Sequence, residues 1–407
     1  MTTAPPAWRN RIVGHGEADP AALVANPSNW RTHPASQRSA LRGSLDTVGW
    51  VAQVLVNQAT GHVVDGHARI EEAIGRNEHS VPVVYVDLTP EEEDLVLATL
   101  DPIGAMAKAD KDQLEALLRE LTPDDPGLGR LIEDLAREYH LDLLSSGLID
   151  PDAAPETPDE PYVEAGELYA LGEHRLLCGD ATSAADVGRL MAGETARAMV
   201  TDPPWNVAIG KDSNPRHRQR EGLVNDDLSE ADFAAFLHGF ADLAHGVVSG
   251  DVYCVLGAAE WPTLDLALRD AGFHWSATII WVKQQFVLGR SNFHRRYEPM
   301  WYGWRIGEVS SYTGDRTADD VWEIDRPYRS PEHPTMKPVA LYAKAIGHST
   351  HPGDIVFDPF VGSGTAVIAA EQTRRRAYVM EIDPRYAQVT IERWQAFTGR
   401  AAERIDE

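Results

Sequence analysis

Cysteine is almost missing from this chain of 407 residues: there are two, Cys178 and Cys254, both in apolar settings. A disulfide framework is excluded as the main support of the fold. One bridge remains open, but two thiols in a reducing cytoplasm is the simpler reading. The pair also fits no zinc-ligand spacing, so no metal is expected and metal-dependent hydrolysis drops out. Long apolar runs are lacking too, which argues against a membrane span. Met1 to Asn10 has neither a charged start nor an apolar stretch, so a signal peptide is not expected and the expected compartment is the cytoplasm. Positive charge is scarce: Lys and Arg total 37 against 63 Asp and Glu, a net charge of −26. Such a balance argues against non-specific coating of nucleic acid. A polyanion is nevertheless drawn by local basic surface, which the average hides. Basic residues do gather at Lys211, Arg216, Arg218 and Arg220, and again at Arg290, Arg295 and Arg296.

Apolar residues make up 43% of the chain, enough for ordinary cores, and its length favours two domains. The clearest boundary is the stretch from Asp150 to Pro161, where proline and like charge predict an extended, solvated linker. Before it, residues 12–100 read as a small α/β unit. A helix is expected over Ser36–Val48 with Gly49 past its end, and strands over Gln53–Asn57 and Val63–Val64 around a turn at Thr60-Gly61. A helix over residues 69–76 and a strand over Val81–Val86 follow. Leucines at helical spacing then predict two helices between residues 110 and 145. After the boundary, strand candidates at Ala198–Thr201, Val252–Leu256, Thr278–Val282, Ile355–Phe357 and Tyr378–Met380 alternate with amphipathic helices. This alternation predicts a doubly wound, largely parallel sheet whose ligands bind at the carboxyl ends of the strands.

Two motifs stand at such ends. Asp358-Pro359-Phe360-Val361-Gly362-Ser363-Gly364-Thr365 follows an apolar strand and opens a helix. Its glycines allow a tight turn and close approach to a ligand, though alone they would equally serve a helix start. The third glycine of a dinucleotide fingerprint is absent. One strand later Glu381 is an acid placed to hold ribose hydroxyls, or a solvated surface acid. The second motif, Thr201-Asp202-Pro203-Pro204-Trp205, has two prolines that stiffen the backbone between an acid and an indole. One reading is a rigid turn with a capping Asp. The other is chemical: the Asp202 carboxylate and the Pro203 carbonyl each accept a hydrogen of a conjugated amine. That localises its lone pair toward an electrophilic methyl group, with Trp205 stacking on a base turned out of the duplex.

In this order the two motifs resemble the amino-group DNA methyltransferases of the β arrangement, where the catalytic motif precedes the cofactor motif. Further matches follow the same sequence. Leu177-Cys178-Gly179-Asp180 looks like the segment contacting the cofactor adenine, and His333-Pro334-Thr335-Met336-Lys337-Pro338 like the one closing over its methionine end. Ile280-Trp281-Val282-Lys283 and Arg296-Tyr297-Glu298-Pro299-Met300-Trp301-Tyr302 look like strands beneath the base pocket. The resemblance spans residues 165–396 and implies a permuted Rossmann-like methyltransferase sheet, S-adenosylmethionine as cofactor and double-stranded DNA as partner. It assigns catalysis to Asp202, Pro203, Pro204 and Trp205, and the cofactor site to Asp180, Thr335, Lys337, Asp358, Phe360, Gly362, Gly364 and Glu381. Cytosine carbon-5 chemistry is disfavoured, because neither cysteine lies in a Pro-Cys setting. Asp at position 202 leans toward adenine N6, with cytosine N4 the alternative.

DNA contacts are expected from Lys211, Arg216, Arg218 and Arg220, in a loop over Asn206–Asn225, and from Arg295 and Arg296. Trp304–Arg329 is a further candidate for base contacts. The N-terminal part resembles the ParB/sulfiredoxin superfamily through Asn26-Pro27-Ser28-Asn29-Trp30-Arg31 and Val64-Asp65-Gly66-His67-Ala68-Arg69. Gly66, His67 and Arg69 are the phosphate candidates, for nucleotide or DNA. Ala68 stands where members usually carry a second basic residue, which weakens the case for nucleotide hydrolysis. The expected layout is a ParB-like domain over 1–105, a helical extension over 106–149, a linker over 150–163 and a methyltransferase domain over 164–407. A homodimer is among the assemblies it admits. The rival reading is a DNA-binding regulatory factor whose methyltransferase domain only senses cofactor.

Overall fold

The computed structural model describes residues 7–121, 123, 125–139, 141, 143–207, 226–287, 292–313, 318–326 and 336–405. The chain divides into two compact units, Met1–Leu143 and Leu144–Glu407.

In the first unit the order is β1 (Ile12–Ala18), β2 (Val24–Ala25), α1 (Ala35–Thr47), β3 (Val54–Asn57), β4 (His62–Asp65), α2 (His67–Gly75), β5 (Val81–Val86), α3 (Pro90–Ala105), α4 (Lys111–Glu120) and α5 (Pro126–Tyr139). The strands form one sheet in the order β1-β5-β3-β4-β2. Its core is Val54, Val56, Val63, Ile70, Ala73, Val81 and Val83. Periodicity did not predict α3, which a local signal starts. Thr89 accepts from the Glu92 amide, Glu92 reaches back to the Thr89 amide, and Pro90 occupies the first turn.

The second unit continues with β6 (Leu168–Leu171), β7 (His174–Cys178), α6 (Ala184–Met191), β8 (Ala196–Thr201), α7 (Glu230–Val247), β9 (Val248–Val255), α8 (Trp261–Asp270), β10 (Phe273–Val287) and β11 (Arg295–Arg305). It ends with β12 (Val321–Glu323), α9 (Val339–Ser349), β13 (Ile355–Asp358), α10 (Thr365–Gln372), β14 (Arg376–Glu381), α11 (Pro384–Thr398) and β15 (Glu403–Ile405). The ten strands among the described residues of this unit share a sheet ordered β12-β10-β11-β9-β8-β13-β14-β7-β6-β15. The central run β9-β8-β13-β14-β7 is parallel, whereas β11, β6 and β15 join antiparallel to their neighbours. Continuous apolar runs such as Val356-Phe357 and Ala198-Met199-Val200 suit these central strands, because helices cover both faces and leave the residues buried. From β8 the chain winds one way to β9, and from β13 the other way to β14. The switch point therefore lies between the ends of β8 and β13, where a doubly wound sheet opens a crevice.

The start of the segment read as a solvated linker, and the residues just before it, are strapped to the rest of the second unit. Ser145 and Leu148 amides donate to the carbonyls of Gln372 and Phe397. Asp152 accepts from the Val339 amide at 2.8 Å, and the buried Arg393 donates to the Pro151 carbonyl at 2.7 Å. Composition predicted solvation; what holds the strap is a buried guanidinium on α11 that needs acceptors. Both cysteines are buried free thiols, and no described helix is long and apolar enough to cross a membrane. Replacing Arg393 by Met strands the Pro151 carbonyl and the half-buried Asp152 beside it. It should destabilise the major urea transition of the full chain by about 3 kcal/mol. An unchanged midpoint would show that the strap is not held this way.

Candidate active site

The crevice at the switch point is a cavity of about 340 Å³. Its floor is the β8 motif. Pro203 and Pro204 fix the backbone after Thr201, so that Asp202 and Trp205 face the same space. The Trp205 indole N–H donates to Asp202 Oδ1 at 2.9 Å. Lys337 Nζ lies 2.5 Å from Asp202 Oδ2 and 4.8 Å from the centre of the Trp205 ring. Gly257 makes room for that indole: a Cβ there would stand 3.1 Å from a ring carbon.

The charges do not end with this pair. Glu298 on β11 bonds Lys283 of β10 through one oxygen, and its other oxygen lies 3.6 Å from Lys337 Nζ. Two acids and two ammonium groups thus alternate within the cavity wall. Burial pulls the Lys337 ammonium down, but Asp202 and Glu298 outweigh it and hold it above the ordinary lysine value. Burial likewise pushes Glu298 up, and Lys337 and Lys283 bring it below the usual carboxylate value. Lys283, Glu298 and Trp281 line the cavity but carried no site role in the sequence reading. The signal available was a lysine and a glutamate on two strands placed beneath the base pocket.

At the other end stand the residues of the glycine motif. Glu381 closes β14 and accepts from the amides of Gly362 and Asp383, both at 2.9 Å. Burial pushes its carboxyl up to about 7. Phe360 is held by Phe236 and Phe240 of α7, with ring centres 5.5 and 5.1 Å away. Asp180, Phe360, Gly362, Lys337 and Glu381 line the cavity together with the whole Asp202–Trp205 motif. Two candidates do not reach its wall. Asp358 is 1% exposed and lies beneath the floor, accepting from Thr201 Oγ1 at 2.6 Å and the Phe360 amide at 3.0 Å. Gly364 starts α10 at φ 90°, and a Cβ there would sit 3.2 Å from the backbone of Thr390. Asp358 ties β8 to β13, and Gly364 lets α10 approach α11; both shape the crevice from behind. Thr335 lies outside the described residues.

Of the DNA-contact candidates, Lys211, Arg216, Arg218 and Arg220 also lie outside the described residues, as does Arg290. The ends of their segment are clasped, however. Asn206 donates to the Leu228 carbonyl at 3.0 Å and accepts from its amide at 2.7 Å. Arg295 and Arg296 are exposed at the start of β11. Part of the Trp304–Arg329 stretch is the edge strand β12, paired parallel to β10. In the first unit, Gly66, His67 and Arg69 line a separate cavity of about 920 Å³. Gly66 starts α2 at φ 101°. His67 Nε2 takes the Asn26 amide at 3.4 Å, and burial lowers its pKa. Arg69 is spent on the Gln53 carbonyl at 2.9 Å and on Asp65 at 3.4 Å.

Residues 196–392 match the family model described as DNA methylase, of the N6/N4 kind. Over that stretch the chain is similar to the DNA methylases. M.HpaI, a type II methyltransferase of Haemophilus parainfluenzae, is 26% identical over 246 residues, 54% of this chain and 74% of its own length. The DNA adenine methyltransferase YhdJ of Escherichia coli strain K12 is 26% identical over 247 residues, 52% of this chain and 80% of its own. The crystal structure of an M1.HpyAVI–SAM complex aligns at a TM-score of 0.42 with 21% identity, covering 54% of this chain and 97% of that one.

The foundation of the cavity has its own pH signature. Burial pushes the Asp358 carboxyl up to about 7 from 3.8, with Thr201 and Phe360 opposing. An acid raised in the folded state ionises first in the unfolded chain, so stability falls as pH rises from about 4 to about 7. Asp358→Asn removes that contribution. Urea midpoints of the variant should decline less steeply over this range than those of the wild type. Parallel slopes would mean that Asp358 is already ionised at pH 4.

Proposed function

We propose that this protein is a site-specific DNA methyltransferase that moves a methyl group from S-adenosylmethionine to the exocyclic amine of a flipped base, adenine N6 first. The observation that carries the reading is Asp202, held at the end of β8 in a cavity that Glu381 also lines, within the stretch that matches the DNA methylase family model.

The residues fit the cofactor. Glu381 has no cationic partner among the described residues and burial pushes it up to about 7; vicinal hydroxyls donating to its carboxylate would favour the charged form. Gly362 adds no side chain where the cavity must admit a ligand, and its carbonyl is fixed by Thr390 Oγ1 at 2.9 Å. Asp180, Phe360, Gly362, Lys337 and Glu381 would hold the cofactor. When bound, S-adenosylmethionine supplies a methyl group on a cationic sulfur, whose bonding pair stays on sulfur as the methyl leaves.

The chain's own part is to prepare the amine. Asp202 accepts one amine hydrogen and the Pro203 carbonyl the other, which withdraws the nitrogen lone pair from the ring and points it outward. As the carbon–nitrogen bond forms, the nitrogen sheds a proton to the Asp202 side and thence to water. Trp205 offers an aromatic face for the extruded base. Asp rather than a hydroxyl residue at position 202 favours adenine; cytosine N4 is the alternative. Lys211, Arg216, Arg218, Arg220, Arg295 and Arg296 are the proposed phosphate contacts on double-stranded DNA.

Asp202→Ala should lower methyl transfer to duplex DNA by roughly 10²-fold or more. Cofactor affinity, read by calorimetry, should change far less. Retained transfer would refute the assigned role, and lost activity with lost cofactor binding would shift Asp202 to a structural one.

For the first unit we propose a ParB-like module that touches phosphate, of nucleotide or DNA, at Gly66 and the start of α2. Its His67 and Arg69 are engaged internally, so binding without turnover is the expectation. Calorimetry of the full chain with CTP and ATP should show binding but no phosphate release. Release would establish hydrolysis, and no heat with either nucleotide would leave DNA as the ligand to try.

A further inference from the structure

Asp202 is occupied on both oxygens, by the Trp205 indole at 2.9 Å and by Lys337 at 2.5 Å. A target amine must therefore compete with a buried ammonium for the carboxylate that is to activate it. An amine held beside an acid already neutralised by lysine would be only weakly polarised. The wall of the cavity contains an answer. Glu298 Oε2 is buried and has no hydrogen-bond partner among the described residues, yet it lies 3.6 Å from Lys337 Nζ. Its twin, Oε1, is fixed by Lys283, which anchors the carboxylate so that the empty oxygen keeps facing Lys337. A buried acceptor left without a donor is costly, and native structures keep few of them.

We propose that Glu298 is a positioning residue, a second seat for Lys337: when the base amine engages Asp202, the ammonium shifts to Glu298 Oε2. The inference rests on the methyltransferase reading above. The shift is short, from 3.6 Å to the roughly 2.8 Å of a charged hydrogen bond. Charge is conserved throughout, since the quartet of Asp202, Lys337, Glu298 and Lys283 keeps two acids and two bases in either arrangement. Before substrate arrives, Lys337 shields a buried Asp202. Afterwards the carboxylate is left to the amine. Lys283 serves as the anchor of the seat, and the cation–π contact of its ammonium with Trp281, at 5.2 Å, steadies it in turn.

The test begins with wild-type protein and a duplex bearing the base that it methylates; no methylation there would sink the proposed function itself, before any variant is read. Given activity, binding is compared between that duplex and one whose target base lacks the exocyclic amine. Wild type should prefer the amine-bearing duplex about tenfold. Glu298→Gln cannot accept the ammonium as an anion. It should lose that preference and most of kcat, with cofactor affinity unchanged. Because Glu298→Gln also strands Lys283, the charge-balanced Glu298→Gln/Lys283→Met protein is made alongside. Its fold should recover but not its amine preference or its kcat. Restored turnover in the double variant would make Glu298 a structural counter-charge only. A tenfold preference surviving in Glu298→Gln would overturn the seat outright.

Discussion

Burying four charged groups at the end of a parallel sheet is costly, and the cavity of the second unit is organised around meeting that cost. Each charge has a neighbour of opposite sign: Asp202 with Lys337, Glu298 with both lysines. No strand could supply all four. Asp202 comes from β8, Glu298 from β11, Lys283 from β10 and Lys337 from the approach to α9. The antiparallel pair β10–β11 is therefore a wall of the site: Glu298 pairs with Trp281 in the ladder, and its side chain reaches diagonally to Lys283. Beneath it, the Thr201–Asp358 hydrogen bond locks β8 to β13 at the switch point.

The parts of this arrangement that were legible in the sequence share one property: they depend on neighbours in the chain. Apolar runs marked the central strands, and Asp202-Pro203-Pro204-Trp205 and the glycine motif followed two of them directly. The mixed character of the sheet was less legible, because hairpin and crossover strands look alike when both are buried. The short strands β6 and β15 were missed because three or four residues carry too little period to read. The quartet was illegible as a unit, since Asp202 and Lys337 are 135 residues apart and only packing brings them together.

Composition misled where a long-range partner decides. The proline-rich acidic stretch from Asp150 has the makeup of a solvated linker, yet Arg393 on α11 captures its first turn. Asp358 and Gly364 stand in the motif expected to touch cofactor, and motif membership could not separate wall from foundation. Asp358 faces Thr201 and Gly364 faces Thr390. In the first unit the same limit applies to Arg69. It has the charge for a phosphate contact, but its guanidinium serves the Gln53 carbonyl and Asp65.

The central claim is that Asp202 presents an exocyclic amine of DNA for methylation. Long-read sequencing of plasmid DNA from cells expressing the wild type or Asp202→Ala tests it most directly. The account predicts N6-methyladenine at one defined motif in the wild type and none in the variant. N4-methylcytosine at such a motif would keep the chemistry and overturn the choice of base. Unmodified DNA from soluble wild-type protein that binds S-adenosylmethionine would contradict the account.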